Sequence, residues 1–448
     1  MVVKSSVKRV EIPVSSFTGA VFKSYPAVSE SINFKVKNGV LTDTVSFMPA
    51  VLGSGGEQVS LPEDFDTVKA FSANTVNGER LVVCGRGRSG EGEVYAFNPE
   101  RVDDGFVRLE GVNCESACFT TIYREEANLI AFTPGDGRLF LYDGVSVVTS
   151  NCPVGAVDIC TFKEKTVVLT SDCLYVSSED PLYFEYEDEF IFPLPAGVYG
   201  RRCVLFGNEV VIFGTRGVAR LTLADFGRAL ILRPVCSGVE RIYPETAAAS
   251  GRGVYVLSEN GMAVFEGVEL IYSRPESVAC VEDGIGGFFA NGEYHAIVKT
   301  SQNAQKQAIL SYTDEGVFAS DSRILGLAYW ENGKRLLAII EGKHRVHEVG
   351  SGYVSPSPVR RVKTCACDFE VNGQKTVTAF SLRSQKDVTV RITADGIPHT
   401  FVVRGGRGIR TVCPYLTGRE FIFEIIFEGI GAEISRPTVT VEYVEEGV

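Results

Sequence analysis

Short apolar runs separated by turn residues recur along most of the chain. Seven repeats share one form, in which an apolar run, a short turn and a second apolar run follow one another. Their first runs begin between 37 and 48 residues apart, near Leu81, Leu129, Thr166, Glu209, Gly253, Tyr294 and Leu336. A period of this length with several short strands per repeat is typical of β-propellers, in which each blade is a small antiparallel sheet.

The turns within the repeats differ in residue type but not in place. They lie at Gly135-Asp136-Gly137, Asp172-Cys173, Thr215-Arg216-Gly217, Glu259-Asn260-Gly261 and Gly342-Lys343. Each predicts a tight connection between two neighbouring strands. The continuous apolar runs on either side predict strands that are buried on both faces. The chain has no Trp-Asp dipeptide, so the pattern indicates a divergent propeller.

The pattern changes after Gly350. Residues 351–361 are rich in Ser and Pro and predict a linker. Residues 362–448 alternate apolar and polar positions over five short segments, which predicts a small β-sandwich. Turn pairs lie between these segments, at Asn372-Gly373, Asp395-Gly396 and Glu428-Gly429.

Residues 1–64 predict an extended segment with a hairpin that leads into the repeats. An alternating strand pattern precedes Asn38-Gly39, a pair that suits a two-residue hairpin turn. The predicted fold class is therefore all-β, with a β-propeller of about six or seven blades over residues 65–350 followed by a C-terminal β-sandwich over 362–448.

Composition supports this class. The 448 residues include 46 Gly and 28 Phe but only 3 Met, which favours strands and turns over helical bundles. The net charge of -12 argues against nucleic-acid binding through a broad basic face. We expect no membrane anchor and no export signal, because no apolar run approaches the ~20 residues that span a bilayer and the start has no apolar core before a small-residue cleavage site.

The twelve cysteines are spread along the chain, several of them inside apolar runs. This distribution predicts free, mostly buried thiols and not a disulfide scaffold. The pairs Cys114/Cys118 and Cys365/Cys367 lack the spacing and the second pair of a zinc site.

Residues 85–90, GRGRSG, match the glycine pattern of a dinucleotide-binding loop. Such a loop must open a helix, so that helical N–H groups meet the phosphates, but here a strand pattern follows. We interpret it as a flexible loop, either between two blades or within a hairpin, with Arg86 and Arg88 at its tip, where they could contact a partner or a phosphate.

Two other clusters contain residue types that bind metals. Residues Glu185, Glu187, Asp188 and Glu189 could supply calcium ligands, but a solvated acidic loop is the favoured interpretation. His344 and His347 are three residues apart, which on a strand directs them to opposite faces and disfavours a shared metal. We expect both histidines on the surface.

The pair Tyr329-Trp330 is interpreted as packing or turn aromatics, with sugar binding as the other possibility. No G-x-S-x-G motif and no Cys/His pair indicates a nucleophile. The prediction is a non-enzymatic protein with no catalytic residue, no cofactor and no metal, although an acid pair of the glycosidase kind stays open among so many carboxylates.

The segment SINFKVKNGVL resembles the N-terminal segment of propeller-type phage tail proteins, through Asn33, Val36, Asn38, Gly39 and Leu41. The C-terminal strands resemble sandwich domains of the same virion proteins. The matching positions there are Gly418, Phe421, Phe423, Ile425, Gly429, Val439, Val441 and Tyr443.

The resemblance implies a tail hub, nozzle or head-to-tail connector protein, a class that includes the packaged-DNA stabilisation and tail tubular proteins of short-tailed phages. Such proteins form rings, usually hexamers, around the DNA exit channel. The implied partners are further copies of the chain, other tail and adaptor proteins, and genomic DNA that passes without sequence-specific binding. The implied location is the virion tail, assembled in the host cytoplasm. The alternative is a cellular propeller that acts as a scaffold or as a carbohydrate-binding or carbohydrate-cleaving module.

Overall fold

The computed structural model describes residues 4–13, 23–26, 28–37, 40–43, 45–52, 58–185, 187, 190–224, 229–237, 241–274, 281–300, 303–313, 316–320, 323–331, 334–350, 359–428, 431 and 433–445. Within these residues all regular elements are β-strands, apart from one 3-10 turn at Val102–Asp104. The all-β prediction is therefore confirmed. The chain divides into two compact units: unit 1 contains Met1–Phe47, Leu310–Asp321 and Ser351–Val448, and unit 2 contains Met48–Ile309 and Ser322–Gly350.

Five short strands precede the repeats. They are β1 (Lys4–Glu11), β2 (Val28–Ile32), β3 (Phe34–Lys37), β4 (Val40–Asp43) and β5 (Ser46–Pro49). Strands β3 and β4 pair antiparallel, with Lys37 opposite Val40. This register needs a two-residue connection, as predicted, although Asn38 and Gly39 themselves lie outside the described residues.

Unit 2 begins with five four-stranded antiparallel sheets, each formed by four consecutive strands. The first sheet contains β6 (Asp66–Thr75), β7 (Gly78–Arg86), β8 (Gly92–Phe97) and β9 (Phe106–Arg108), and the second contains β10 (Cys118–Arg124), β11 (Ala127–Thr133), β12 (Arg138–Tyr142) and β13 (Val147–Asn151). The third contains β14 (Asp158–Phe162), β15 (Lys165–Leu169), β16 (Cys173–Val176) and β17 (Ile191–Pro193), and the fourth contains β18 (Gly200–Phe206), β19 (Glu209–Gly214), β20 (Gly217–Ala224) and β21 (Ala229–Ser237). The fifth contains β22 (Ile242–Ala249), β23 (Val254–Ser258), β24 (Gly261–Phe265) and β25 (Leu270–Arg274).

Two further groups of strands continue the series. The first group is β26 (Val281–Ala290), β27 (Glu293–Thr300), β28 (Asn303–Thr313) and β29 (Gly316–Ser320), and the second is β30 (Ile324–Trp330), β31 (Arg335–Ile340) and β32 (Val346–Gly350). The chain leaves unit 2 within β28, after Ile309. In the last sheet the segment that follows Met48 runs beside β32, where the Ala50 N–H donates to the Val346 carbonyl over 2.8 Å.

The first apolar run of each of the seven repeats is a strand, as predicted, and it is the second strand of its group. These strands are β7, β11, β15, β19, β23, β27 and β31. These strands are buried over most of their length; in β19, for example, every residue after Glu209 is buried. The predicted turns also join the strands as expected. Gly135 and Gly137, between β11 and β12, have φ of 86° and 95°, a conformation that glycine adopts without steric cost.

The first strands of the sheets pack against one another in chain order. Strand β10 packs on β14, β14 on β18, β18 on β22 and β22 on β26, and β30 of the last sheet packs on β6 of the first. Trp330 of β30 shares a buried cluster with Leu81 and Phe97 of the first sheet. The first and second sheets pack through β6 and β11. The two ends of the series of sheets in unit 2 therefore meet, an arrangement typical of β-propellers.

Unit 1 contains the remaining strands, which are β33 (Arg360–Thr364), β34 (Lys375–Ser384), β35 (Val388–Ala394), β36 (Ile397–Val403), β37 (Ile409–Val412), β38 (Leu416–Gly418), β39 (Phe421–Phe427) and β40 (Ile434–Glu445). One sheet has the order β3-β4-β40-β34-β37, with β1 paired to β40 and β38 to β34. A second run of paired strands has the order β29-β2-β33-β39-β35-β36. Side chains of both sheets, such as Phe380 and Phe423, form one hydrophobic core.

The division into units differs from the predicted ranges. Strand β1 pairs with β40 over eight residues, from Lys4 opposite Glu445 to Glu11 opposite Thr438. The N-terminal strands thus pack with the C-terminal residues and do not form a separate segment 1–64. The predicted linker 351–361 is too long, because β33 begins at Arg360 and pairs with β39. Its residues 351–358 lie outside the described residues.

Candidate functional site

Polar side chains from successive first strands form the main charged cluster inside unit 2. We call it the inner polar cluster; its members are Lys69, Cys118, Asp158, Arg202, Glu245 and Tyr329. They come from six sheets and lie about 40 or more residues apart along the chain. Packing of the first strands in chain order explains how such distant residues interact.

An ion pair joins the third and fourth sheets. Asp158, buried at the start of β14, accepts hydrogen bonds from the Cys203 N–H at 2.8 Å and from Arg202 Nη1 at 3.4 Å. Asp158 raises the pKa of Arg202, which therefore stays charged. The Arg202 side chain is 41% exposed as a whole, but its Nε is buried. The pair holds two neighbouring first strands together.

The thiols near this pair are unreactive. Cys118 Sγ donates to the Val157 carbonyl at 3.0 Å. Burial raises the pKa of Cys118 to about 11, and the negative charge of Asp158 contributes in the same direction. Burial likewise raises the pKa of Cys84 to about 11 and that of Cys114 to about 12. These thiols are protonated at neutral pH, whereas nucleophilic attack requires the thiolate.

Lys69 of the first sheet acts on Cys118, where its positive charge opposes the rise in the thiol pKa. Glu245 and Tyr329 extend the cluster toward the fifth and seventh sheets. Burial raises the pKa of Glu245, and the charge of Asp283 adds to the effect, while Arg201 and Arg202 oppose it. Burial also raises the pKa of Tyr329. A carboxyl group with a raised pKa beside two arginines is a polarised environment, but the cluster has no unpaired base close to a nucleophile.

Tyr329 also lines a cavity of about 320 Å³. The other lining residues belong to the first two sheets and are Ser72, Ala73, Asn74, Glu79, Thr121 and Asn128. The cavity has a polar lining with one aromatic side chain, which would admit water or a small polar molecule.

Of the two expected kinds of loop, GRGRSG is the hairpin, since it joins β7 and β8 of one sheet, and a strand and not a helix follows it. Its arginines contact carboxylates of unit 2. Arg86 Nη2 lies 2.7 Å from Glu115 Oε1, and Arg88 Nη1 lies 3.3 Å from Asp64 Oδ2. These carboxylates compensate the positive charge of the two arginines, which a bound phosphate would otherwise use.

The prediction that both histidines lie on the surface is wrong for His347. His344 is exposed, but His347 is buried in β32 and its Nδ1 lies 2.8 Å from the Arg345 carbonyl. Burial lowers the pKa of His347, so the ring is neutral at physiological pH. Within the described residues no group of three or more His, Cys, Asp or Glu side chains could hold a metal ion.

The other residues considered from the sequence are Trp330, the acidic segment 185–189 and the cysteines. Trp330 is buried in the cluster that includes Ala50 and Leu337, which confirms its packing role. Glu187 is exposed in the acidic connection between β16 and β17, whereas Asp188 and Glu189 lie outside the described residues. Of the cysteines in the described part of the chain, eleven are free, seven of them buried and Cys413 exposed.

The inner polar cluster was not anticipated from the sequence. Each member is a single polar residue in a first strand, and no short motif connects them. The only available signal was the repeat itself, since aligning the seven repeats would have placed polar residues at equivalent positions.

Comparison with known proteins gives structural matches only. No protein-family model and no curated protein matches the chain. Among solved structures, the C-terminal WD40 domain of Sif2 matches with a TM-score of 0.39 and 10% identity, over 72% of this chain and 95% of that one. Kluyveromyces lactis Hsv2 matches with a TM-score of 0.38 and 12% identity, over 67% of this chain and 93% of that one.

A third structure, the extracellular domain of the putative one component system BT4673 from B. thetaiotaomicron, matches with a TM-score of 0.42 and 8% identity, over 92% of this chain and 60% of that one. None of the three assigns a function to this chain. Among the described residues, no helix has the length and apolar character needed to cross a membrane.

Proposed function

We propose that unit 2 is a seven-bladed β-propeller and that unit 1 is a β-sandwich built from both ends of the chain. The closed series of sheets supports the propeller, because β30 packs on β6 and the segment after Met48 adds a strand beside β32. The core shared by two sheets supports the sandwich. The sandwich then includes the N-terminal strands as well as residues 359–445.

We further propose that the protein is a virion structural component of a phage tail, in the hub, nozzle or head-to-tail connector region. Six copies form a ring around the DNA exit channel, after assembly in the host cytoplasm. Its partners are other copies, neighbouring tail and adaptor proteins, and the genome in transit. It has no enzymatic activity.

The distribution of charge is the observation that carries this proposal. Unit 2 contains 39 acidic and 26 basic residues, whereas unit 1 contains 17 acidic and 18 basic residues. The net negative charge of the chain therefore lies in the series of sheets. A surface of this sign beside DNA repels phosphate and lets the genome slide, whereas dense basic contacts would retain it.

The inner polar cluster supports a structural role. Its arginine is paired with Asp158, and the thiols nearby are protonated. These contacts tie neighbouring sheets together, as a ring subunit under mechanical load requires. A rigid disc of sheets with a second domain offers broad surfaces for repeated contacts, and a heterologous contact repeated by rotation closes a ring.

Native mass spectrometry and negative-stain electron microscopy of the purified full-length protein test the proposal. We expect rings of six copies, and the same protein in purified virions by immunogold labelling of the tail. A protein that stays monomeric, is absent from virions and binds or cleaves glycans would overturn the proposal and support the cellular alternative.

A further inference from the structure

One segment of unit 1 exposes a free sheet edge. We call Ile397–Val412 the β36–β37 arm; it consists of β36, the loop 404–408 and β37. Strand β36 pairs with β35, from Ile397 opposite Ala394 to Val403 opposite Val388, and has no second partner within the described residues. A free edge presents unpaired N–H and C=O groups that can pair with another chain.

One face of the arm packs on the core of unit 1 through Phe401, Val403 and Val412, and apolar side chains elsewhere on the arm are exposed. Ile397 is 62% exposed, Ile409 50% and Val402 47%. Proteins usually protect free edge strands with charges or covering segments, because exposed apolar edges associate. These three side chains leave apolar area on the arm that a contact with another chain would bury.

The loop of the arm is held in place by unit 1. Asp387 accepts hydrogen bonds from the Gly405 N–H at 2.8 Å and from Arg404 Nη1 at 2.6 Å, and these contacts lower the pKa of Asp387. The Gly406 N–H donates to the Ser384 carbonyl at 2.9 Å. A loop ordered before binding loses less conformational entropy when it docks.

The arm is basic. It contains Arg404, Arg407 and Arg410 and no acidic residue. Arg404 is paired with Asp387, whereas Arg407 and Arg410 are exposed and have no ion-pair partner in the described part of the chain. Two free guanidinium groups on an ordered loop favour an acidic partner surface.

Unit 2 carries a surface of the matching chemistry. In the connection between β16 and β17, Glu179, Tyr183 and Glu187 are exposed. The first turn of this connection is ordered, since the Ser178 N–H donates to the Tyr183 carbonyl and the Leu182 N–H to Asp180 Oδ1. We call Glu179, Tyr183 and Glu187 the acidic patch. Carboxylates bind guanidinium groups in a forked geometry, and a tyrosine ring accepts one over its face.

We propose that the β36–β37 arm of one copy binds the acidic patch of a second copy. Arg407 and Arg410 pair with Glu179 and Glu187, and the apolar side chains of the arm are covered by the same contact. Arm and patch are different surfaces, so the contact is heterologous, and its repetition forms a ring when the rotation between copies closes. This inference rests on the proposed function, for which it supplies the subunit contact.

Two charge-reversal variants test the contact. In the arm variant, Arg407→Glu and Arg410→Glu reverse the basic charges, and in the patch variant, Glu179→Arg and Glu187→Arg reverse the acidic ones. We expect each variant alone to be monomeric by native mass spectrometry. An equal mixture should form rings again with the two variants alternating. The acidic arm of the arm variant then pairs with the basic patch of the patch variant, and the native basic arm of the patch variant pairs with the native acidic patch of the arm variant.

The matched control is Arg9→Glu with Arg419→Glu, which makes the same charge change at exposed positions of unit 1 outside the arm. It should form rings like the wild type. Circular dichroism verifies that all variants are folded.

The outcomes separate this inference from the proposed function. Rings that persist in the arm and patch variants would overturn the contact and leave the ring intact. Loss of rings without rescue on mixing would overturn the pairing of arm with patch. A wild-type protein that is monomeric at all concentrations would overturn the ring itself, and the contact with it.

Discussion

Asn33 connects three separate segments of unit 1. Its backbone N–H donates to the Ala319 carbonyl at 2.7 Å, its Nδ2 donates to the Val359 carbonyl at 3.0 Å, and its Oδ1 accepts from Ser320 Oγ at 3.0 Å. The residue is buried and has a φ of 60°. Asparagine suits this position because it tolerates the left-handed conformation and can satisfy both partners.

We expect Asn33→Ala to lower the free energy of unfolding of unit 1 by about 2 to 4 kcal/mol, from the lost hydrogen bonds and the strained φ. Asn33→Gly separates the two causes, because glycine adopts the same φ but lacks the side chain. The glycine variant should be more stable than the alanine variant by about 1 kcal/mol. Urea denaturation followed by fluorescence measures both, and equal stabilities would show that the conformation contributes nothing.

Gly287 permits a close approach of two first strands. A Cβ added there would lie 1.9 Å from the Thr246 carbonyl oxygen, whereas a Cβ on neighbouring Gly286 would meet only Ile297 Cδ1 at 3.4 Å. We expect Gly287→Ala to lower the free energy of unfolding by about 1 to 3 kcal/mol, since the strands β22 and β26 must separate. Gly286→Ala is the matched control and should change stability much less. Thermal unfolding distinguishes them, and similar melting temperatures would contradict the packing argument.

At the scale of strands, the sequence predicted the second strand of each of the seven repeats and missed the role of the first strands. The second strands lie between neighbours on both sides, so their apolar runs are continuous and easily recognised. The first strands carry isolated polar residues such as Asp158 and Glu245, which have partners only on adjacent sheets. Their pairing depends on packing between repeats, which no local pattern encodes.

Glu245 on β22 gives the inner polar cluster a pH dependence. Its charged neighbours are Asp283 on β26 and Arg201 and Arg202 on β18, and burial is the main cause of its raised pKa. The folded protein therefore retains the proton to a higher pH than the unfolded chain does. The resulting stability is present below the ordinary pKa of glutamate and is lost as the pH rises through the raised value.

Glu245→Gln removes this titration. We expect its urea midpoint to exceed that of the wild type at pH 7 and the difference to narrow at pH 5. Glu259→Gln, an exposed position on the same sheet, is the control and should show no such change between the two pH values. A variant that is less stable than the wild type at pH 7 would mean that the ionised carboxylate stabilises the fold through the arginines.

At the scale of the whole molecule, the composition of unit 1 could not be predicted from local patterns. Residues 4–11 pair with residues 438–445 at the other end of the chain, and alternation of apolar and polar positions does not specify a partner strand. The Ser/Pro-rich composition of 351–361 predicted a boundary, but β33 begins inside it at Arg360. Pairing with β39 overrides the local preference there.

The separation of charge between the units has a direct consequence for DNA. Unit 2 carries a net charge of -13 and unit 1 of +1, so the net charge of unit 2 repels phosphate. Non-specific DNA-binding proteins bind with Kd of about 10⁻⁴ to 10⁻⁶ M at physiological salt. We expect the wild-type protein to show no saturable binding of labelled duplex DNA up to about 100 μM by fluorescence anisotropy at about 150 mM salt.

Replacing four exposed acidic residues of unit 2 by lysine, at Glu91, Glu100, Glu110 and Glu266, should increase binding at every salt concentration. Micromolar binding by the wild type would contradict the proposed role, because DNA would not slide past contacts of that strength.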